Sequence, residues 1–304
     1  MRDHIDAVWR LTRFKEYAAF VIITTLLGAA AGNGSLGPRL VVVLLANWLA
    51  VGFAFMINDV EDAPDDALSD EKAHRNPVAS GHLTPRIARL ISFAVALLAT
   101  ILYATLGPGP LLAGTVCLIL SYFYSSRRVR LKATPIADLA SHALILAGMQ
   151  FITAYLAFDG GAPHRWASPL ALVVSLSIYG QLFNELRDFD TDVQAGVSHT
   201  ASLLGKNRAH SLMMAWLLLG LASGVVSIFV VRLVPLWVIL VTMALTILLS
   251  WGRLSEIRRA HSSIARQRPL QKPVEIAAAI ALLAWFASPL TPALTSMLTG
   301  TSPW

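Results

Sequence analysis

The chain has 304 residues, of which 56% are hydrophobic and only 14% are charged. Its mean hydropathy is +0.62. An ordinary soluble domain carries about a quarter charged residues, so this composition excludes one and indicates a polytopic membrane protein. The net charge of +6 also occurs in nucleic-acid-binding proteins. Here the basic residues are distributed as in oriented membrane proteins, and we expect no nucleic-acid partner.

The N-terminal segment of residues 4–15 precedes the first apolar run and has two interpretations. It forms an interfacial amphipathic helix with Ile5, Trp9 and Leu11 on its apolar side, or it is a basic lead-in that orients the first span. No small-residue cleavage site follows it, so we expect no cleaved signal peptide and a first span that remains in the mature chain.

Nine apolar runs follow, each near the length of about 20 residues that a helix needs to cross hydrocarbon. We therefore predict an all-α polytopic membrane protein of nine transmembrane helices, forming one domain over residues 1–304. Arg232 and Pro235 mark the boundary between the seventh and eighth spans. The runs cover residues 17–32, 39–57, 86–106, 110–125, 136–158, 169–186, 209–231, 233–251 and 274–298.

Basic residues are concentrated in the loops on one side of the predicted membrane. With a cytoplasmic N-terminus, the opposite side receives only Arg39, Arg165 and Arg232. This asymmetry predicts a cytoplasmic N-terminus and, after nine crossings, an external C-terminus. We expect an integral protein of a prokaryotic plasma membrane whose long basic loops face the cytoplasm.

A first acidic cluster, residues 58–66, directly follows the second apolar run. Asp59, Asp62 and Asp66 are three and four positions apart, which places their carboxylates on one side of a helix that continues beyond the span. Pro64 is expected to disturb that helix locally and to leave Asp66 on a loop.

A second acidic cluster, residues 184–192, follows the sixth run, and its Glu185, Asp188 and Asp192 repeat the same spacing. Like charges stacked in this way repel unless a cation offsets the cost. Oxygen-only ligands favour Mg²⁺, with Mn²⁺ as the alternative ion, whereas the simpler interpretation is two solvated acidic loops. The predicted metal ligands are Asp59, Asp62, Asp66, Glu185, Asp188 and Asp192.

Basic residues lie close in sequence to the first cluster or in the next cytoplasmic loop. Arg75, Arg130 and Lys132 suit a diphosphate, because arginine holds phosphate bidentately and lysine supplies a compact charge. Each of them also has a simpler role in setting membrane orientation.

Other polar or reactive residues are less informative. Asp138 and His142 are four apart inside the fifth run. They form a hydrogen-bonded pair that orients an acceptor or takes its proton, or they have only a structural hydrogen bond or an interfacial position. We expect His199 to be an ordinary solvated histidine, as are His74, His82 and His210. The single Cys117 excludes an intramolecular disulfide and is expected to pack inside the bundle.

Together these motifs resemble the UbiA superfamily of intramembrane prenyltransferases. The resemblance rests on Asn58, Asp59, Asp62 and Asp66 in the first cluster and on Asp188 and Asp192 in the second, where Glu185 stands at a position that is often aspartate. It extends to the segments at 76–81, 83–85, 124–125, 130–132, 195–196 and 203–206.

The resemblance implies a bundle of nine helices around a large central cavity, capped by cytosolic loops. It implies transfer of an isoprenyl group from its diphosphate to an aromatic or lipid acceptor inside the membrane, with Mg²⁺ as cofactor. The catalytic residues would be Asp59, Asp62, Asp188 and Asp192. The substrate-binding residues would be Asn58, Arg75, Tyr124, Arg130, Lys132 and Asn184.

The sequence departs from the family pattern in ways that leave the acceptor open. Arg75-Asn76-Pro77 displaces the arginine-proline pair of many aromatic-acceptor members by one residue, and Arg13-Phe14 replaces the arginine-proline often found before the first span. Two alternatives therefore remain: a membrane terpene cyclase of the same superfamily, which needs no separate acceptor, and an ion-coupled transporter.

Overall fold

The computed structural model describes residues 2–158, 164–194, 196–259 and 263–288, and all regular structure in these ranges is helical. The first α-helices are α1 (Arg2–Thr12), α2 (Phe14–Ala31), α3 (Pro38–Asp66), α4 (Asp70–Arg75), α5 (Pro85–Leu106), α6 (Pro108–Ser125), α7 (Ala137–Ala143) and α8 (Met149–Ala157). They are followed by α9 (His164–Arg187), α10 (Phe189–Gln194), α11 (Thr200–Leu204), α12 (Lys206–Val225), α13 (Leu236–Ser250), α14 (Leu254–Arg259) and α15 (Ser263–Ala287).

Within the described ranges, nine helices are long and apolar enough to cross a membrane, which confirms the predicted number. The fifth span joins α7 to α8 through a π-helical turn at Leu144–Gly148, and the seventh extends α12 through another at Val226–Val230. The predicted ninth run reaches residue 298, but its part from 289 onward lies outside the described residues. That the whole chain forms one domain stays a prediction.

Proline and glycine set several helix boundaries. The helices α3, α5 and α6 each begin with proline, whose missing N–H costs nothing in a first helical turn. The turn between α5 and α6 is the single residue Gly107, with φ 119°, a conformation that a side chain would strain. This tight connection makes the third and fourth spans antiparallel neighbours.

The helix α1 packs on the bundle through one face. Its Ala7 and Leu11 are buried in a cluster with Met56 and Val60 of α3, while Ile5 and Trp9 are 64% and 52% exposed. The structure therefore confirms an amphipathic helix before the first span. Its exposed apolar side chains suit the membrane interface. That α1 lies at this interface stays a prediction.

A buried polar network centred on Asn47 connects the first, second, third and fifth spans. Its amide donates to Thr25 Oγ1 (2.8 Å) and to the Gln150 carbonyl (3.0 Å), and its carbonyl oxygen accepts from the Tyr103 and Thr153 hydroxyls (2.8 Å each). Because unsatisfied polar groups are costly in hydrocarbon, these bonds hold the helices in one register.

Cys117 lies beside that network. Its thiol is buried and contacts the Ile145 carbonyl and the Gln150 amide at 3.7 and 3.3 Å. The expected packing role is confirmed.

Candidate active site

The first acidic cluster occupies the last turns of α3. The helix continues through Pro64 and ends at Asp66, so the expected loop is wrong: Asp66 is the last helical residue. Asp59 is fully buried, and Arg13 Nη1 lies 3.3 Å from its Oδ1. Its second oxygen, Oδ2, is buried and has no hydrogen-bond partner among the described residues.

Asn76 attaches the following loop to this helix. Its amide donates to the Asp59 carbonyl (2.8 Å) and to Asp66 Oδ2 (2.9 Å), and its own oxygen accepts from the Val78 N–H (2.9 Å). The side chain is fully buried, so the bonds are shielded from water. Arg75, which precedes Asn76, is exposed and close enough to Asp59 for its charge to act on that carboxylate.

Basic residues of the loop between α6 and α7 contact the same carboxylates. Lys132 Nζ lies 2.5 Å from both Asp62 oxygens and donates to Asn58 Oδ1 at 2.8 Å. Arg130 bonds Asp65 at 2.9 Å and lies 4.0 Å from Asp62. Burial lowers the pKa of Lys132, and the charge of Asp62 opposes this effect.

The second acidic cluster is divided between α9 and α10. Glu185, near the end of α9, is buried and accepts hydrogen bonds from the Gln181 amide and the Ala201 N–H, both at 3.0 Å. Asp188 follows the end of α9 and forms a two-pronged ion pair with Arg187 at 2.6 and 2.8 Å. Arg187 also donates to Asn184 Oδ1 at 3.2 Å.

His199 is a site residue that the sequence interpretation missed, since only 4% of it is exposed. Its Nδ1 accepts from the Ser202 N–H at 3.1 Å and lies 3.3 Å from Glu185, while its Nε2 lies 3.3 Å from Asp192. Burial raises the pKa of Asp192, and the His199 charge opposes this. The expectation of a solvated histidine is therefore wrong, because this ring lies between two acidic side chains.

Asp138 does not pair with His142. Its carboxylate accepts from the Thr200 N–H and hydroxyl, both at 2.5 Å, and from the Leu139 N–H at 2.7 Å. These buried bonds attach the start of α11 to the fifth span. Asp138 therefore has a structural hydrogen bond, which was one of the alternatives, and its partner is Thr200.

The two clusters converge although they lie more than a hundred residues apart in sequence. Tyr124, at the end of α6, is close enough to Asp62, Asp138 and Glu185 for their charges to act on its hydroxyl. The charge of Lys72, which follows the first cluster, likewise acts on Asp192 of the second. Carboxylates from both halves of the chain therefore surround one region at one end of the bundle.

A cavity of about 170 Å³ opens beside this region. Its walls are mostly apolar or aromatic, with Asn58 of the first cluster at its edge. The larger central chamber and the cytosolic cap stay predictions. The lining residues are Arg13, Val51, Ala54, Phe55, Asn58, Tyr124, His142, Ile145, Leu146 and Gln181.

Arg13 is the second residue that the sequence interpretation missed as part of the site. It has φ 50° between α1 and α2, and its guanidinium bonds Glu16 at 2.5 and 2.8 Å and lies 4.8 Å from the centre of the Phe55 ring. Its position before an apolar run indicated membrane orientation and, with Phe14, a departure from the arginine-proline pair often found in the family. Its long-range contact with Asp59 had no signal in the sequence.

Among the described residues, no three or more His, Cys, Asp or Glu side chains are already arranged as a metal site. The donor chemistry nevertheless fits Mg²⁺: the groups are carboxylate oxygens, and Asp59 Oδ2 is buried without a partner. Lys132 and Arg13 supply the positive charge that the first cluster needs, since stacked carboxylates repel one another.

The UbiA prenyltransferase family model matches residues 20–268. The lycopene elongase/hydratase of Haloarcula japonica is 31% identical over 211 residues, which are 68% of this chain and 69% of that protein. Protoheme IX farnesyltransferase 1 of Pseudomonas fluorescens is 30% identical over 187 residues, covering 55% of this chain and 61% of the relative.

Solved structures show the same fold. A UbiA homolog from Archaeoglobus fulgidus bound to DMAPP and Mg²⁺ has a TM-score of 0.70 at 20% identity, covering 92% of this chain and 98% of that one. A UbiA homolog from Aeropyrum pernix K1 has a TM-score of 0.67 at 18% identity, covering 87% of this chain and 97% of that one.

The fold and its converging carboxylates define a helical membrane enzyme. The chain belongs to the UbiA prenyltransferase family, and its activity is that of a prenyltransferase.

Proposed function

We propose that the protein transfers an isoprenyl group from a prenyl diphosphate to a lipophilic acceptor within the membrane, in an Mg²⁺-dependent reaction that releases diphosphate. The observation that carries this proposal is the convergence of both acidic clusters and Lys132 beside an apolar cavity. Charged groups at the cavity edge suit the diphosphate, and the apolar walls suit its hydrocarbon part.

Each charged side chain has a role in this proposal. Bound Mg²⁺, or Mn²⁺ in its place, supplies positive charge that stabilises the departing diphosphate. Lys132 and Arg130 exchange their carboxylate partners for phosphate oxygens, together with Arg75, while Asn58 and Asn184 donate their amide hydrogens. The residues that would hold the ion are Asp59, Asp62, Asp66, Glu185, Asp188 and Asp192.

The cavity would hold the reacting isoprenyl group. Cleavage of the carbon–oxygen bond leaves an allylic cation, which the aromatic faces of Phe55 and Tyr124 can stabilise. A dry cavity of about 150 Å³ binds benzene in another protein. At about 170 Å³, this one has room for about one isoprenyl unit, so we propose a five-carbon donor.

The lining of the cavity also indicates the chemical class of the acceptor. Its charged lining residue, Arg13, is already paired with Asp59 and Glu16, so the walls present no free charge to an anionic aromatic acid. An uncharged hydrocarbon acceptor suits such walls. Since the Haloarcula japonica relative is a lycopene elongase/hydratase, we propose a polyene of that kind.

The test uses the purified chain in lipid nanodiscs with dimethylallyl, geranyl or geranylgeranyl diphosphate, with or without lycopene and Mg²⁺. We expect diphosphate release that requires Mg²⁺ or Mn²⁺ and that is fastest with the five-carbon donor. Mass spectrometry should show a prenylated polyene. Metal-independent release contradicts the proposed chemistry, and a cyclic product formed without acceptor would favour a membrane cyclase.

One pair of variants tests the role of the acidic positions. Asp62→Ala should lower diphosphate release about 100-fold or more, because a residue that would hold the ion stabilising the departing diphosphate is lost. Asp190→Asn is the matched control: this side chain is 75% exposed and pairs with Lys206 at 2.7 Å. Equal activity in both variants would remove Asp62 from the mechanism.

We also propose that the enzyme lies in a prokaryotic plasma membrane, with its N-terminus in the cytoplasm and its C-terminus outside. In that orientation both acidic clusters face the compartment from which a water-soluble diphosphate arrives. The hydrocarbon acceptor arrives from the bilayer itself.

A further inference from the structure

The cavity wall contains a histidine that the proposed transfer has not used. His142 lies on α7 in the fifth span, and its ring centre is 6.3 Å from that of Tyr124. It forms no hydrogen bond or ion pair with another described residue, and it is half-buried and lines the cavity. The ring is therefore open to a ligand in the cavity.

The charged groups around His142 have other partners. Asp138, one turn earlier on the same helix, is bonded to Thr200 at 2.5 Å. Arg13, in the lining of the same cavity, is paired with Asp59 and Glu16. Among the described lining residues, His142 is thus the one with a basic nitrogen and no partner.

The chemistry requires a proton acceptor. When a carbon–carbon double bond of the acceptor attacks the allylic cation, the positive charge moves to an acceptor carbon. A neutral product forms only if a proton leaves an adjacent carbon or if water is added. The described lining of the cavity has no carboxylate that could take that proton.

We propose that His142 is a catalytic residue that accepts this proton; the inference rests on the proposed function. The carbon–oxygen bond of the donor breaks, and its electron pair leaves with diphosphate. The acceptor π electrons form the new carbon–carbon bond. A proton then passes from the adjacent carbon to a ring nitrogen of His142, the C–H electron pair becomes a double bond, and the imidazolium later releases its proton to water.

The test compares wild type with His142→Gln in nanodiscs containing dimethylallyl diphosphate, Mg²⁺ and lycopene. Glutamine keeps a polar side chain of similar length but is not a base. Released diphosphate, the coupled alkene and the coupled alcohol, which is heavier by one water, are measured in the same sample. His164→Gln, exposed at the start of α9, is the matched control.

We expect His142→Gln to keep releasing diphosphate while the coupled alkene falls about 100-fold, the usual scale of a lost general base. Coupled alcohol or free prenyl alcohol should replace it, whereas His164→Gln should match wild type. Adding imidazole to His142→Ala should restore part of the alkene. A structural role alone would not change the ratio of alkene to alcohol.

Two results would overturn the inference and leave the proposed function standing. One is an unchanged ratio of alkene to alcohol in His142→Gln. The other is an equal loss of diphosphate release and alkene, which would place His142 in ionisation or folding. Wild-type protein that releases no diphosphate would instead overturn the proposed function, and the inference with it.

Discussion

Lys132 and Arg13 show how single residues balance the acidic helix end. Lys132 lies 2.5 Å from Asp62, and Arg13 lies 3.3 Å from the fully buried Asp59. Charges removed from water in this way require close partners. We infer that these ion pairs keep the site folded before substrate arrives and that Lys132 then moves to the diphosphate.

Replacing Lys132 with methionine should raise the KM for the diphosphate about tenfold or more, because one charge-assisted hydrogen bond to phosphate is lost. Steady-state diphosphate release measures this effect. Arg128→Gln, an exposed change in the same loop, should leave KM within error. A KM that does not change in Lys132→Met would show that the lysine serves only to neutralise Asp62.

At the residue scale, the sequence predicted which residues share a helix face, but it did not predict contacts between distant segments. Asp59, Asp62 and Asp66 lie on one helix because a helix repeats every 3.6 residues, which is a local property. The contacts of Arg13 with Asp59 and of His199 with Asp192 depend on how distant segments pack, so the sequence pattern had no signal for them. The prediction from Pro64 was wrong: we expected the helix to be disturbed there, but α3 continues through Pro64.

Among the elements, α11 is attached to the fifth span by the bonds between Thr200 and Asp138. Thr200→Val removes the hydroxyl that donates at 2.5 Å to this buried carboxylate. We expect a loss of about 2 kcal/mol in the free energy of unfolding. Denaturant titration in detergent measures it, with Thr105→Val, which is exposed, as the unchanged control. Equal stability of both variants would show that the attachment is not stabilising.

The packing of α2 on α8 depends on Gly28. A Cβ at this position would lie 2.2 Å from the Phe151 carbonyl oxygen, which is backbone and cannot rotate away. We expect Gly28→Ala to destabilise the bundle by about 1–3 kcal/mol through overpacking. Thermal unfolding in detergent checks this. Gly180→Ala in α9 is the control, because a methyl group there would meet no described atom within 4 Å. Equal destabilisation by Gly28→Ala and Gly180→Ala would contradict overpacking as the cause.

Long elements were predictable and short ones were not. Each membrane span carries its signal in about 20 consecutive apolar residues, so hydropathy located all nine found among the described residues. The six-residue α10 and five-residue α11 have no such signal, because a helix of that length is held by tertiary contacts. The π-helical turn at Leu144–Gly148, which begins directly after α7 ends at Ala143, had no signal either.

For the whole molecule, the orientation across the membrane can be tested with cysteine labelling. The native Cys117 is buried, so the parent chain is expected to remain unlabelled by a membrane-impermeant maleimide. In intact cells we expect Ser35→Cys, in the turn between α2 and α3, to react. Leu68→Cys, 89% exposed after α3, should react only after the membrane is opened. The reverse pattern would overturn the cytoplasmic placement of the acidic clusters.

The amino-acid sequence by itself determined the membrane class, the number of spans, the two acidic clusters and the family resemblance, since all of these follow from local composition and spacing. Only the tertiary structure decided which side chains meet: Lys132 with Asp62, Asp138 with Thr200, and His142 with the cavity. The physical reason is that short-range pattern sets each membrane-spanning helix, whereas the packing of all the helices sets the neighbours of a side chain.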